Sequence, residues 1–150
     1  VVIKGANALD YKNKTAGVFI GAPNAGTSGT IMPYVIARKA HLLIPVGLEK
    51  QVSCNVLDLQ LKLREPIEAL NFVPSMFLLT GHIFTEIEAI EAMAQVKCFQ
   101  AGAGGIGGAQ GGVWLVARGA RRQVEKAVKI AEQIHGEPSF VNEAQENDIK

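Results

Sequence analysis

Residues 16–47 read AGVFIGAPNAGTSGTIMPYVIARKAHLLIPVG, and the order of apolar and small residues in this stretch decides the fold class. Residues 16–20 are apolar and β-prone, and Gly21, Ala22 and Pro23 close them, as befits a strand followed by breakers. NAGTSGT (24–30) is a small-residue loop, and IMPYVIARKA (31–40) has the length and basic ending of a helix. Pro33 lacks an N–H donor, so the spacing predicts a helix that begins close to Thr30, with the proline in its first turn. HLLIPVG (41–47) is a short continuous apolar run of the kind buried on both faces of a parallel sheet. Strand, loop, helix and strand in that order predict a parallel βαβ crossover and an α/β protein.

Toward the N-terminus, Val1, Val2 and Ile3 form a β-branched run ended by Gly5, and residues 7–15 read as a polar loop. Opening on Val1 inside an apolar run predicts that further strands precede it. Residues 1–60 are thus expected to be a partial Rossmann-like parallel βαβ core. Toward the C-terminus, VLDLQLKL (56–63) alternates apolar and polar residues as a half-exposed strand does, and Pro66 and Pro74 punctuate a connector. SMFLLTG (75–81) reads as a strand. Thr85 with Glu88 three residues later makes a capping box for a helix whose Ile83, Ile87, Ile90 and Ala94 share one face. Strands at 96–101 and 113–119 flank a glycine-rich connection, and a helix over 120–135 places Val124, Ala127, Val128, Ala131 and Ile134 at helical spacing. Phe140 and Val141 are candidates for a last short strand, so 75–141 is expected to be a ferredoxin-like βαββαβ subdomain, followed by a polar tail over 142–150.

Composition narrows the function classes. The chain has 150 residues, 15 basic and 14 acidic, and 15 − 14 leaves a net charge of +1. A balanced surface gives no global attraction to nucleic acid. Hydrophobic residues make up 48%, which implies a packed core, yet no apolar run approaches the ~18 residues of a membrane span and no signal-peptide pattern opens the chain. A cytoplasmic protein without membrane or nucleic-acid partners is expected. Cys54 and Cys98 stand in apolar surroundings without paired-cysteine spacing and are expected to be reduced and buried, and no metal or cofactor motif is present.

Three motifs bear on binding. The NAGTSGT loop leads into a helix N-terminus whose first amides lack intrahelical partners, so Thr27, Ser28, Gly29 and Thr30 suit an anion; the plain alternative is a capped turn. AGAGGIGGAQGG (101–112) holds seven of the sixteen glycines, and Gly102, Gly104 and Gly107 match GxGxxG, but a strand rather than a helix follows, which argues for a hairpin connection. Arg118, Arg121 and Arg122 gather at the start of the last helix, where the dipole disfavours them unless an anion or an ordinary i,i+4 pair such as Glu125 with Lys129 compensates. Trp114, between Val113 and Leu115, reads as core.

VIKGANALD (2–10), NAGTSGT and HLLIPVGLEK (41–50) in this order resemble the superfamily of ribose-phosphate isomerases, glucosamine-phosphate deaminases, methylthioribose-phosphate isomerases and CoA transferases. Gly5, Ala6 and Asn7 match the Gly-Ala-Asp signature at a strand end, Gly29 and Thr30 the phosphate loop, and Lys50 the lysine after the next strand. The resemblance implies a ligand site for a sugar phosphate or an acyl-CoA type of molecule, and an isomerase- or transferase-like reaction if there is turnover. Asn7 replaces the acid of that signature, and an amide does not accept and return a proton near neutral pH. Asp10 and Glu49, at predicted strand ends, are the remaining candidate bases.

The leading expectation is a small anionic metabolite held at the carboxyl ends of the parallel strands by Lys4, Gly5, Asn7, Thr27, Ser28, Gly29 and Thr30, with Lys50, Glu49 and Asp10 as candidate catalytic groups. The rival is a non-catalytic assembly or sensor module, with a homo-oligomer built through the ferredoxin-like part and the Val113, Trp114, Leu115 strand. The tandem of a ferredoxin-like order and the glycine-rich loop distantly resembles bacterial microcompartment shell domains.

Overall fold

The computed structural model describes residues 1–66 and 68–136. The protein is α/β, as the opening stretch implies, but its strands are distributed over three small sheets. β1 (Val2–Ile3), β4 (Leu42–Pro45) and β6 (His82–Phe84) form a parallel sheet in the order β1-β4-β6. β2 (Ala8–Asp10), β3 (Thr15–Ile20) and β5 (Ser75–Thr80) form an antiparallel one. β7 (Lys97–Ala103) and β8 (Val113–Arg118) pair as a hairpin across the glycine-rich connection.

The strand–helix–strand unit at 16–47 exists, but β3 and β4 are not partners. β3 is captured by β2, because Asp10 closes the turn between them: its Oδ1 accepts from Asn13 N at 3.0 Å and its Oδ2 from Asn13 Nδ2 at 2.7 Å. Part of the expected polar loop at 7–15 is therefore strand, with Ala8 and Leu9 buried. β4 takes its parallel neighbours from the two sides instead, pairing Leu43 with Ile3 and with His82.

Helix α1 (Gly26–Ala37) starts four residues ahead of Thr30, and Pro33 lies in its interior. The start is set by the preceding loop, where Ala25 takes a left-handed φ of 61° and Asn24 Oδ1 accepts from Gly26 N at 3.0 Å. Met32 and Val35, buried on either side of the proline, hold the helix against the core despite the missing donor. Residues 56–63 are not a strand: Val56–Lys62 is helix α2, capped by Asn55 Oδ1 accepting from Leu57 N at 2.8 Å. Val56, Leu59 and Leu63 recur at helical spacing and pack toward Ala8 and Met76, while Leu57 and Leu61 face outward.

The capping box forms as expected and opens α3 (Glu86–Ala94), with Ile87, Ile90 and Ala94 buried; Ile83 belongs to β6. Helix α4 (Arg121–Ile134) follows β8, and only Ala127 of its apolar spacing is fully buried. The expected single strand at 75–81 is followed by a second, β6, so the order over 75–134 is ββαββα, and β5 and β6 complete sheets begun by N-terminal strands; the strands of the expected ferredoxin-like unit do not share one sheet. One core cluster joins Leu9, Met32, Val35 and Ile44 to Leu79, Ile87, Cys98 and Ala127. Cys54 is exposed and Cys98 buried. The candidate strand at Phe140 and Val141 and the tail lie outside the described residues. No helix among the described residues is long and apolar enough to cross a membrane.

Candidate functional site

The N-terminus of α1 opens onto a hollow of about 170 Å³ lined by Lys4, the end of β3 and the first turn of the helix, Ala25 to Ser28. Lys4 follows β1, whose parallel pairing with β4 fixes it at the carboxyl end of that sheet. Its backbone N donates to Leu43 O at 3.0 Å, and its ammonium lies 3.3 Å from Gly5 O. In the helix's first turn, Gly26 N donates to Asn24 Oδ1 and Gly29 N donates to Ala25 O at 3.1 Å. Between them the amides of Thr27 and Ser28 have no acceptor among the described residues.

Ser28 is 1% exposed, and its Oγ, like Thr15 Oγ1, is a buried side-chain oxygen without a hydrogen-bond partner. An unpaired buried hydroxyl costs about 1–3 kcal/mol, so it asks for an explanation that Thr30 does not: Thr30 Oγ1 donates to Gly26 O at 3.1 Å. Gly29 serves the loop rather than the hollow. A Cβ there would clash with Asn24 O, so the bend over the helix start needs a residue without one.

Of the residues singled out in the sequence, Lys4, Thr27 and Ser28 are brought together here, with Gly5 following Lys4. The others do not line the hollow. Asn7 is committed to the β2–β3 pair, its Oδ1 accepting from Phe19 N at 3.0 Å and its N donating to Gly17 O at 2.7 Å. Asp10 is a turn-closing group, 7% exposed. Glu49 and Lys50 belong to a 3₁₀ turn, Leu48–Lys50, that Glu86 Oε2 holds by accepting from Leu48 N at 3.0 Å. They are exposed and 3.9 Å from each other.

A second cluster, centred on Glu88, is ionic but closed. Its Oε1 accepts from Tyr11 Oη at 2.9 Å and Lys14 Nζ at 3.0 Å, and its Oε2 from Thr85 Oγ1 at 2.6 Å and Thr85 N at 2.9 Å. Burial pushes its carboxyl upward, but the bonds from Thr85, Lys14 and Tyr11 outweigh that and hold it at about 2. With its acceptor atoms engaged, Glu88 fastens the β2–β3 turn to α3. The capping box announces Glu88 in the sequence; Tyr11 and Lys14, more than seventy residues away, carry no such local signal.

Elsewhere, the outer face of the hairpin leaves Phe99, Trp114 and Val116 uncovered, Trp114 at 66% exposure, so the tryptophan is not core. Val113 and Leu115 turn inward onto the core, and Arg121 rather than Lys129 pairs with Glu125, at 2.9 Å. Among the described residues no group of three or more His, Cys, Asp and Glu is gathered to hold a metal ion. No protein-family model, no curated protein and no solved structure matches the chain.

Proposed function

We propose that this chain binds a small metabolite through a phosphate or carboxylate group seated at the N-terminus of α1. The observation that carries the reading is that one hollow is lined by Lys4 together with Thr27 and Ser28, whose amides have no acceptor among the described residues, and that the Ser28 hydroxyl is buried without a partner. An anion there neutralises Lys4, accepts from both amides in line with the helix dipole, and gives the serine hydroxyl an acceptor. The hollow is smaller than the roughly 300–1,000 Å³ of whole small-molecule sites, so it suits an anionic head rather than a complete ligand. The reading is one of binding: Asp10, Glu49 and Lys50, the candidate catalytic groups, are not in its lining, and Asn7 has no proton to trade.

Calorimetry with inorganic phosphate tests it. One head group without a body is expected to bind with a Kd of about 1 mM, and Lys4→Ala is expected to weaken that about tenfold through loss of one charge-assisted contact. Equal affinity in wild type and Lys4→Ala would remove the reading.

A second reading, self-assembly, has its own observation in the apolar outer face of the β7–β8 hairpin, where Phe99 and Val116 are cross-strand partners beside Trp114. Light scattering decides it: a species larger than one chain that Trp114→Lys dissociates supports assembly, and a monomeric wild type excludes it.

A further inference from the structure

Beside the anion hollow lies a second one of about 460 Å³, and the two share Ile20, Gly21, Ala22 and Ala25. Its volume falls within the range of small-molecule sites, roughly 300–1,000 Å³. Its remaining walls are Pro23 and, from the connector and β5, Phe72, Val73, Met76 and Phe77, with Ser75 and a single charged residue, Arg64. Phe72 is 80% exposed although its neighbours in this wall are apolar.

The geometry points to a ligand that spans both: an organic phosphate or carboxylate with its anion at Lys4 and Ser28 and an apolar body laid against Ile20, Phe72 and Phe77. This rests on the anion reading of α1 and narrows it. A sugar body presents several hydroxyls, each needing a partner when it leaves water, and among its side chains this wall offers only Ser75 and Arg64. An aliphatic or aromatic body gains from the apolar side chains it covers. Arg64 repels a cationic body, so the body is neutral or acidic.

Three probes of related size separate the possibilities in one calorimetric series: inorganic phosphate, hexyl phosphate and glucose 6-phosphate. Hexyl phosphate is expected to bind about tenfold more tightly than inorganic phosphate, the yield of burying about two methylenes, while glucose 6-phosphate gains nothing over inorganic phosphate. Phe72→Ala, a truncation at an exposed position, is expected to lower the hexyl-to-inorganic affinity ratio toward one. Glucose 6-phosphate binding as tightly as hexyl phosphate, or a ratio indifferent to Phe72→Ala, overturns the apolar body and leaves the anion head standing. Absence of binding by all three phosphates overturns both together.

Discussion

Ser28→Ala separates stability from binding. Removing a buried oxygen without a partner is expected to raise the stability of the ligand-free protein by about 1 kcal/mol, read by urea denaturation, and to weaken phosphate binding at the same time. A hydroxyl that only filled space would give the first effect without the second. Glu88 answers to pH. Its folded carboxyl titrates at about 2 against an ordinary 4.5, so it stabilises the fold fully above about pH 4.5 and loses that contribution as the pH falls toward 2. Glu88→Gln is expected to cost on the order of 2 kcal/mol at pH 7, allowing for partial solvent screening, and the gap from wild type should close on acidification. A gap independent of pH contradicts the ionic account of the clamp. Lys4, Thr27 and Ser28 were legible as residue types, because lysine after a strand and small hydroxyl residues before a helix are local signals. That Ser28 is left without a partner, and that Asn7 is spent on Phe19 N, are consequences of tertiary packing and appear in no spacing.

At the scale of elements, α2 distinguishes two periodicities. Leu59 faces the cluster of Val56 and Met76 while Leu61 is 51% exposed, which period-two alternation does not allow. Leu59→Ala is expected to destabilise by about 2 kcal/mol and Leu61→Ala by less than about 0.5 kcal/mol; equal costs in thermal melts would contradict the helix. The alternation over residues 56–63 reads as a strand, but the cap at Asn55 starts a helix that buries Val56, Leu59 and Leu63 instead. The capping box of α3 was readable because its parts lie three residues apart. The start of α1 was not, since it depends on a left-handed Ala25 and on the Asn24 carbonyl packing against Gly29. Gly29→Ala is accordingly expected to destabilise the helix start, whereas Pro33→Ala, at an exposed interior position, restores a donor and is expected to stabilise it.

Across the whole molecule, the three parallel strands come from three distant parts of the chain, and their carboxyl ends carry Lys4, the turn at Leu48–Lys50 and the capped start of α3. Open α/β sheets collect ligands at that end. The class of the fold was visible in residues 16–47, but the partners of each strand were not, because β1, β4 and β6 pair across segments far apart in the sequence. The same distance hid the choice between candidate groups, with Lys4 taken into the hollow and Lys50 held on a separate exposed turn. Backbone amide NMR during a phosphate titration tests the central claim most directly: the signals of Thr27 and Ser28 are expected to shift and saturate together, and Lys4→Ala to raise the phosphate concentration at which they saturate about tenfold. Saturating shifts confined to Glu49, Lys50 and Gln51, with Thr27 and Ser28 unmoved, would contradict it.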